Sequence, residues 1–493
     1  MTEVLLGLDI GTSSAKAVLA TPGGELLASA ERPHATARPR PGWVEHDAEG
    51  AWWEAVVSLC RELAAQGPWP PAAVCVSGLG PCVLAAGADG RPLRPAILYG
   101  VDTRAQAEIA ELTEELGAEA IVARGGSLLT TQAVGPKLLW LRRREPDVWA
   151  RTRRLLMASS YAVQRLTGEY VLDHHSASQC DPLYDLEAGD WHAPWAEAIA
   201  PGLPLPRLLW PGEVAGEVSA AGAEATGLAL RTPVAAGTID AWAEALSAGV
   251  RDPGDAMLMY GTTMFIVAVE TGPRPDPRLW LTNGVEPGIR TVAAGMATSG
   301  ALTAWLREIA GGVPYEQLLA EAAAVPAGAG GLVALPYFAG ERTPVFDPRA
   351  RGVICGLTLS HGRGHLYRAL LEATAYGVRH NLEAFADAGA EPRRLVAVGG
   401  GTRGSLWTRI VSDVTGRAQE LPVQTIGASY GDAWLAGRAG GLVDEAARWN
   451  AVADVIDPDP AATEAYEALY AVYRELYPAT RAQAHALAAL QED

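Results

Sequence analysis

Asp9-Ile10-Gly11-Thr12-Ser13-Ser14-Ala15-Lys16 is the stretch that decides the fold. It joins apolar residues 4–9 to apolar residues 15–20 and, with residues 25–30, predicts three strands connected by tight turns. A carboxylate ends the first strand, and the glycine lets backbone N–H groups approach a phosphate. Hydroxyls and one cation follow. The stretch therefore predicts a magnesium-nucleotide site, with Asp9 holding Mg²⁺ directly or through water. An ordinary hairpin turn is the competing interpretation.

The same pattern recurs near the middle of the chain. Residues 256–260 are apolar, Gly261-Thr262-Thr263 predict a turn, and residues 264–269 predict a second strand. Two strand–Gly-Thr–strand hairpins, one in each half, indicate a duplicated architecture. The remaining predicted strands lie at 72–77, 94–99, 331–335 and 394–398, and the predicted helices at 51–65, 136–144, 160–167, 365–386 and from 405 onwards.

Alternating strands and helices are typical of an α/β protein. The length of 493 residues predicts two to four domains. We place the boundary in the loop 247–254, just before the second hairpin, so that the domains are 1–247 and 248–493. Near the end of the chain, apolar and aromatic residues at helical spacing predict a helix docked on the core and ended by Pro478: Tyr466, Leu469, Tyr470, Tyr473, Leu476 and Tyr477.

The bulk composition excludes several classes of protein. The net charge of −18 argues against a broad surface for nucleic acid or anionic membranes. The sequence has no apolar run of membrane-spanning length and begins without a visible signal peptide. Five scattered cysteines without a C-x-x-C pair argue against disulfides and structural zinc and predict a cytoplasmic protein. Of the 39 basic residues only Lys16 and Lys137 are lysines; a position that needs a compact ammonium is one interpretation, and chance survival of a solvated lysine is the other.

A third glycine-rich stretch is Val398-Gly399-Gly400-Gly401-Thr402-Arg403-Gly404-Ser405, between a predicted strand and a predicted helix. Glycines let the backbone lie against a ligand, and a helix N-terminus favours negative charge. The stretch also fits G-x-G-x-x-G, with Glu420 at a plausible distance for a ribose contact, so a dinucleotide site is an open alternative here. The sequence contains no Walker loop.

Dispersed motifs, in order along almost the whole chain, resemble the FGGY family of carbohydrate kinases. The strongest is Gly352-Val353-Ile354-Cys355-Gly356-Leu357, followed after seven residues by His365-Leu366-Tyr367-Arg368-Ala369-Leu370-Leu371-Glu372. The others are Glu341-Arg342-Thr343-Pro344, the glycines 399–401, Pro41-Gly42-Trp43, Trp52-Trp53, residues 91–97, residues 136–140 and Leu166-Thr167-Gly168-Glu169. Together they outweigh the dinucleotide interpretation.

This resemblance implies two domains of the actin-like, ribonuclease H-like ATPase fold, with ATP and a sugar meeting in the cleft between them. It implies Asp240, in Pro233-Val234-Ala235-Ala236-Gly237-Thr238-Ile239-Asp240, as the catalytic base. A helix N-cap is the structural alternative for Asp240. The implied cofactors are ATP and Mg²⁺, and homodimers are common among similar proteins.

The resemblance also assigns the remaining site positions. The nucleotide and its metal would be held by Asp9, Gly11, Thr12, Ser13, Lys16, Gly261, Thr262, Gly300, Gly400, Gly401 and Ser405. The sugar would be held by Gly80, Pro81, Asp102, Gln132 and Asp240.

The sequence departs from xylulokinases on the sugar side. Their usual Q-M-H-G is Leu79-Gly80-Pro81-Cys82 here, and the usual Asn after the catalytic Asp is Ala241. A hydroxyl buried without partners costs about 1–3 kcal/mol, so the substrate is expected to differ from xylulose or to be held by other groups, among which His174 and His175 are candidates. The expected activity is ATP-dependent phosphorylation of a small sugar or polyol, foremost a ketopentose such as xylulose or ribulose. The alternatives are an actin-like ATPase without a sugar substrate and a sugar-binding pseudokinase.

Overall fold

A computed structural model describes residues 3–492, which form two α/β lobes, each built on a seven-stranded mixed sheet. The strands of the first sheet are β1 (Leu5–Ile10), β2 (Ser14–Ala20), β3 (Leu26–Pro33), β4 (Ala73–Gly78), β5 (Val214–Glu217), β6 (Pro233–Ala235) and β7 (Thr238–Ile239). Those of the second sheet are β8 (Asp255–Tyr260), β9 (Met264–Glu270), β10 (Trp280–Asn283), β11 (Arg290–Met296), β12 (Arg394–Val398), β13 (Gln419–Pro422) and β14 (Val452–Ile456). The α/β class predicted from the sequence is confirmed.

The two sheets share one topology at their centres. In the first, β1 pairs antiparallel with β2, β2 pairs antiparallel with β3, and β4 runs parallel to β1 on its other side. In the second, β8 pairs antiparallel with β9, β9 pairs antiparallel with β11, and β12 runs parallel to β8. The full orders are β5-β6-β4-β1-β2-β3, with β7 also on β4, and β10-β11-β9-β8-β12-β13-β14. The two predicted hairpins therefore occupy equivalent places in the two lobes.

Helices cover these sheets, and short two-stranded ribbons complete the lobes. The helices are α1 (Glu54–Gln66), α2 (Gln106–Leu116), α3 (Ala118–Gly125), α4 (Val134–Arg144), α5 (Pro146–Trp149), α6 (Ala158–Thr167), α7 (His174–Ser178), α8 (Ala193–Ile199), α9 (Ala220–Thr226), α10 (Asp240–Ser247), α11 (Gly300–Ile309), α12 (Tyr315–Ala323), α13 (Arg363–Asp387), α14 (Ser405–Thr415), α15 (Ala428–Ala439) and α16 (Pro460–Glu492). A π-helical turn at Ala48–Trp53 precedes α1, and a 3₁₀ turn at Gly400–Arg403 precedes α14.

The ribbons pair Glu45–His46 with Ala96–Ile97, Leu84–Ala86 with Arg154–Leu156, Val171–Asp173 with Arg207–Leu209, Tyr184–Asp185 with Asp190–Trp191, and Val333–Leu335 with Val353–Cys355. The predicted strand at 94–99 is thus reduced to Ala96–Ile97. Pro95 lacks the amide donor that a longer ladder needs at this point. Within residues 3–492, no helix is both long and apolar enough to cross a membrane.

The prediction that Pro478 ends the last helix is wrong, because α16 continues through it to Glu492. A proline inside a helix removes one hydrogen bond and crowds the preceding turn. Contacts on both sides of Pro478 hold the helix together: Tyr473 is buried before it, and beyond it the His485 Nε2 lies 2.6 Å from the carboxylate Oδ2 of Asp347. Tertiary packing therefore overrides the local signal.

Helix α15 belongs to the second half of the sequence but packs against the first lobe, in contact with β1, β4 and α10. The close approach depends on glycines without side chains. A Cβ atom at Gly7 in β1 would lie 1.9 Å from the carbonyl oxygen of Ser429, and one at Gly431 would lie 2.0 Å from that of Ala243. The contact fixes α10, whose first residue is Asp240, against the centre of the first sheet.

Candidate active site

A central cavity of about 300 Å³ lies between the lobes, lined by residues from both. The first lobe and α10 contribute Asp9, Gly80, Tyr99, Ser127, Leu128, Thr130, Gln132, Ala133, Gln179, Asp181, Ile239, Asp240, Ala241, Trp242 and Glu244. The second half of the chain contributes Met259, Thr263, Phe265, Trp280, Thr282, Ala293, Arg342 and Ala428. Carboxylates, amides and hydroxyls thus converge with tryptophan faces in one small space.

Asp240 is the first residue of α10, directly after β7. Ile239 occupies the N-cap position, so the predicted N-cap role for Asp240 is displaced by one residue. The Oδ1 of Asp240 accepts a hydrogen bond from the Ala241 amide at 2.8 Å, and the helix N-terminus favours its negative charge. Burial nevertheless raises the pKa of Asp240 to about 6. The carboxyl group is therefore mostly ionised at neutral pH and a stronger base than an ordinary aspartate.

Four carboxyl groups gather beside the cavity: Asp9, Asp240, Glu244 and Asp432. Burial raises the pKa of Asp9 well above its usual value, and the charges of the other three raise it further, while Lys16 lowers it. Burial also raises the pKa of Glu244 to about 7, again opposed by Lys16. Like charges cannot all ionise in a small buried space without a cation. The cluster is therefore suited to bind cations or to hold protons.

Asp432 connects this cluster to the first sheet. The Ser77 hydroxyl at the end of β4 donates a hydrogen bond to Oδ2 of Asp432 at 2.6 Å, whereas its distance to Oδ1 of Asp9 is 3.5 Å. Burial raises the pKa of Asp432 well above its usual value. The stronger bond goes to Asp432, so the carboxylate of Asp9 keeps its oxygens for another partner.

A second cavity of about 790 Å³, here called the glycine-lined cavity, lies in the second lobe. Its lining combines backbone-exposing glycines with aromatic side chains: Tyr260, Gly261, Thr262, Gly300, Ala301, Thr303, Ala304, Tyr315, Glu316, Leu319, Tyr367, Leu371, Gly400, Gly401, Arg403, Gly404 and Trp407. A Cβ atom at Gly300 would lie 2.6 Å from the Gly261 carbonyl oxygen, so the Gly261 turn and α11 can touch only because Gly300 has no side chain. Glycine edges and flat aromatic faces suit the phosphates and base of a nucleotide.

The structure brings most of the sequence-predicted positions to one of these two cavities. Asp9, Gly80, Gln132 and Asp240 line the central cavity, with Pro81 next to Gly80. Gly261, Thr262, Gly300, Gly400 and Gly401 line the glycine-lined cavity, while Ser405 follows its rim at the start of α14.

The first hairpin stands apart from the glycine-lined cavity. Gly11, Thr12 and Ser13 form the β1–β2 turn, and Lys16, in β2, is paired across from Asp9. The Thr12 hydroxyl shares a hydrogen bond of 2.8 Å with the Tyr99 hydroxyl. The turn thus adjoins the central cavity through Asp9 and Tyr99.

Asp102 is placed away from both cavities. Arg104 binds it in a bidentate ion pair, with Nε 2.9 Å from Oδ1 and Nη2 2.7 Å from Oδ2. The Val44 amide donates to the same Oδ2 at 2.6 Å. These partners already use both oxygens of a buried carboxylate, which gives Asp102 a structural role in this conformation.

The two histidines support the cavity wall from behind. His175 is buried beneath the ring of Trp242, with ring centroids 3.9 Å apart, and its Nε2 lies 2.8 Å from Nε2 of Gln179. His174 stacks on Trp210 at 4.4 Å and shares a hydrogen bond with Tyr184 at 2.9 Å. Burial lowers the pKa of His175 to about 4, so it is neutral at physiological pH.

Several residues at the central cavity were not assigned a role from the sequence. Glu244 follows Asp240 by four positions, a spacing that places both on one helix face and could have identified it. Arg342 lies in the quoted motif Glu341-Arg342-Thr343-Pro344, and Tyr99 ends the predicted strand at 94–99. Gln179, Asp181, Trp242, Trp280 and Asp432 carry no local signal, because only the fold brings them together.

Comparison with known proteins matches both halves of the chain to one family. The sequence models of the N-terminal and C-terminal domains of the FGGY family of carbohydrate kinases match residues 4–247 and 256–440. The xylulose kinase of Escherichia coli K12 is 30% identical over 438 residues, which cover 87% of this chain and 89% of that protein. A glycerol kinase of Citrifermentans bemidjiense is 32% identical over 471 residues, covering 91% and 93%.

The solved structures agree with the sequence comparisons. The crystal structure of xylulose kinase from Rhodospirillum rubrum superposes with a TM-score of 0.92 at 37% identity and covers 98% of this chain and 100% of that one. The predicted two-domain actin-like, ribonuclease H-like fold is confirmed. The predicted activity is confirmed as that of a carbohydrate kinase, which uses ATP as its phosphate donor and a small sugar or polyol as acceptor. The chain belongs to the FGGY family of carbohydrate kinases.

Proposed function

We propose that this kinase transfers the γ-phosphoryl group of ATP to a terminal hydroxyl of a ketopentose such as xylulose or ribulose, with Asp240 as the general base. The observation that carries the proposal is the position of Asp240: it is a partly exposed carboxylate on the wall of a small cavity between the lobes. A pKa of about 6 leaves it ionised at neutral pH and able to accept the proton of a hydroxyl within hydrogen-bond reach.

The size and lining of the central cavity support a short polyhydroxylated acceptor. About 300 Å³ is at the lower end of the range for ligand pockets. Ser127, Thr130 and Gln132 offer hydrogen-bonding groups, while Trp242 and Trp280 offer flat apolar faces for the carbon skeleton. Such a lining suits a single sugar or polyol rather than a nucleoside or a disaccharide.

The second lobe offers a separate place for the phosphate donor, ATP. We propose that the glycine-lined cavity holds the nucleotide and that the β1–β2 turn, with Lys16, approaches the transferred phosphoryl group. Asp9 is 9% exposed, and within residues 3–492 its carboxylate receives only a long contact from Ser77, so its chemistry fits Mg²⁺ bound through one carboxylate and the phosphates. When bound, Mg²⁺ would neutralise charge on those phosphates.

We assign separate roles in the phosphoryl transfer to three residues. Asp240 takes the hydroxyl proton as the acceptor oxygen attacks in line. Lys16 and the guanidinium of Arg342, which lines the central cavity, supply positive charge near the equatorial oxygens. Closure of the lobes would exclude water, so that the sugar rather than water receives the phosphoryl group. We place the reaction in the cytoplasm, where ATP is available.

The test is ADP release from Mg-ATP with a panel of acceptors. The panel holds D-xylulose, D-ribulose and their L-isomers, ketohexoses, tetritols, pentitols and glycerol, and the phosphorylated product is identified by mass spectrometry. We expect one ketopentose to exceed glycerol in kcat/KM by at least about tenfold, since the cavity has groups for more hydroxyls than glycerol carries. Removal of divalent metal with EDTA should abolish turnover, and added Mg²⁺ should restore it.

Two outcomes contradict the proposal. Glycerol or a tetritol as the best acceptor would keep the kinase and reject the ketopentose. ADP release at the same rate with and without every acceptor would mark an ATPase that does not use a sugar. An Asp190→Asn variant, altered at an exposed residue, is the matched control for protein quality.

A further inference from the structure

The wall of the central cavity carries a further carboxylate, Asp181, which is not one of the four clustered carboxyl groups described above. Asp181 is 6% exposed and lines the cavity. Among the residues that the structure describes, none forms a hydrogen bond with its buried Oδ1. A Cβ atom at Gly125 would lie 2.0 Å from this oxygen, so the glycine makes room for the carboxylate.

A buried carboxylate without a partner is costly, because it loses its hydration and gains no compensating bond. Burial alone raises the pKa of Asp181 well above its usual value, and within residues 3–492 no charged neighbour adds to or offsets the shift. It differs in this from Asp9, whose pKa responds to three other carboxyl groups and to Lys16. Asp181 therefore lies apart from the Asp9 cluster, and within residues 3–492 its Oδ1 has no hydrogen-bond partner that would give it a structural role.

Gln179, two residues earlier, adds a second acceptor on the same wall. The Nδ1 of His175 lies 2.6 Å from the carbonyl oxygen of Asn283, which can only accept, so Nδ1 carries the proton. The Nε2 of His175 must then accept from the Nε2 of Gln179, at 2.8 Å. The side-chain oxygen of Gln179 and the second N–H of its side-chain amide remain available to a ligand in the central cavity, which Gln179 lines.

We propose that Asp181 receives hydroxyl groups of the acceptor at the end remote from Asp240 and makes the site selective for neutral sugars and polyols over sugar acids. This inference rests on the proposed function, in which the reacting hydroxyl lies at Asp240. The opposite end of a short carbon chain then faces the other wall. Hydroxyls there donate to Asp181, with Gln179 as a second acceptor, whereas a terminal carboxylate would add negative charge to a buried wall that already disfavours the charge of Asp181 itself.

The first test measures steady-state kinetics with D-xylulose for the wild type, Asp181→Asn and Asp181→Leu. We expect KM to rise by at least about tenfold in Asp181→Asn and further in Asp181→Leu, because the amide keeps one acceptor and leucine keeps none. The kcat should stay within about threefold, since Asp181 does not touch the reacting hydroxyl. Asp190→Asn, at an exposed position nearby, should leave both constants unchanged.

Thermal unfolding of the ligand-free protein separates this role from a structural one. Because burial raises the pKa of Asp181, folding at pH 7.5 must either bury its charge or take up a proton, and Asp181→Asn removes this cost. The Tm of Asp181→Asn should therefore rise by about a few degrees while its KM worsens. A lower Tm with unchanged KM would show that Asp181 supports the fold instead. Asp181→Asn retains the side-chain size and keeps the test decisive if Asp181→Leu does not fold.

The third test compares the use of a sugar acid with the use of a neutral sugar. The wild type should use D-gluconate at least about 100-fold less efficiently than D-xylulose, and Asp181→Asn should narrow this ratio by about tenfold or more. Equal use of both compounds by the wild type would overturn the inference. A wild-type enzyme that phosphorylates no acceptor contradicts the proposed function itself, whereas an active enzyme with an unaltered Asp181→Asn KM contradicts only the role of Asp181.

Discussion

At the scale of single residues, the site concentrates negative charge where a nucleotide with several negative charges must come close. Asp9, Asp240, Glu244 and Asp432 influence one another, and Lys16 is the basic side chain that lowers the pKa of both Asp9 and Glu244. Unpaired buried carboxylates would repel the phosphates of the nucleotide. Cations must therefore accompany these phosphates when they bind. In the mechanism that we propose, one of these carboxyl groups, Asp240, stays free to act as the base.

Replacing Asp240 by Asn should lower kcat by at least about 10²-fold, because the amide cannot accept the hydroxyl proton. The Kd for Mg-ATP should change little, since the glycine-lined cavity is formed by other residues. ADP release with the best acceptor measures the first quantity, and calorimetric titration with a nonhydrolysable ATP analogue the second. Normal turnover by the variant would remove Asp240 from the mechanism.

The same residue predicts the acid limb of the pH profile. Asp240 must be ionised to accept a proton, and its pKa is raised to about 6 by burial. We expect kcat/KM to fall about tenfold per pH unit below pH 6 and to be level above it. The profile is measured with the best acceptor between pH 5 and 8. A limb near pH 4 would instead indicate that an ordinary exposed carboxylate limits the rate.

The contribution of Asp240 to folding stability should fall with rising pH, whereas its contribution to activity should rise. A raised carboxyl pKa means that the folded state keeps a proton which the unfolded state has lost, so the contribution of Asp240 to stability decreases as pH rises from about 4 to 6 and stays lost above 6. Asp240→Asn should therefore have a higher Tm than the wild type at pH 7.5, and the difference should shrink toward zero below pH 4. Differential scanning calorimetry across this range checks the sign.

At the scale of secondary-structure elements, the contact of α15 with α10 holds the carboxylate of Asp240 in place. Gly431→Ala should lower Tm by several degrees and reduce kcat/KM, because the new methyl group would lie 2.0 Å from the Ala243 carbonyl oxygen and push the helices apart. Gly272→Ala is the control, since a Cβ atom there meets no atom of the described residues within 4 Å. Equal stability of the two variants would mean that the α10–α15 contact adjusts without cost.

Elements also show how far the sequence could predict this molecule. Both hairpins were predictable, because an apolar run, a Gly-Thr turn and a second apolar run are local signals. The path of α16 beyond Pro478 was not, because it depends on contacts such as that of His485 with Asp347, 138 positions away. Asp181 and Asp432 were missed for a related reason: each reaches the site from a distant segment, and a lone aspartate in a sequence resembles any exposed one.

At the scale of the whole molecule, the duplicated lobes remain connected by more than one crossing of the chain. The loop between α10 and β8 passes from the first lobe to the second, as the division at residues 247–248 proposes. The chain then returns to pack α15 on the first lobe and leaves it again to add β14 to the second sheet. An ion pair between Arg448 and Asp252, 2.7 Å apart, joins two of these crossings. We expect such a connection to let the lobes rotate about this region while it holds them together.

That geometry predicts closure during the reaction. The glycine-lined cavity is formed by the second lobe, whereas Asp9 and Lys16 lie on the first, so we expect the lobes to approach each other as the phosphoryl group meets Asp240. Asp240→Asn with Mg-ATP and the best acceptor should trap the closed form without turnover. Its radius of gyration, measured by small-angle X-ray scattering, should be smaller than with Mg-ATP alone or acceptor alone. An unchanged radius in all three states would mean that the two cavities already communicate in the open molecule, and that water is excluded by the substrate itself rather than by motion of the lobes.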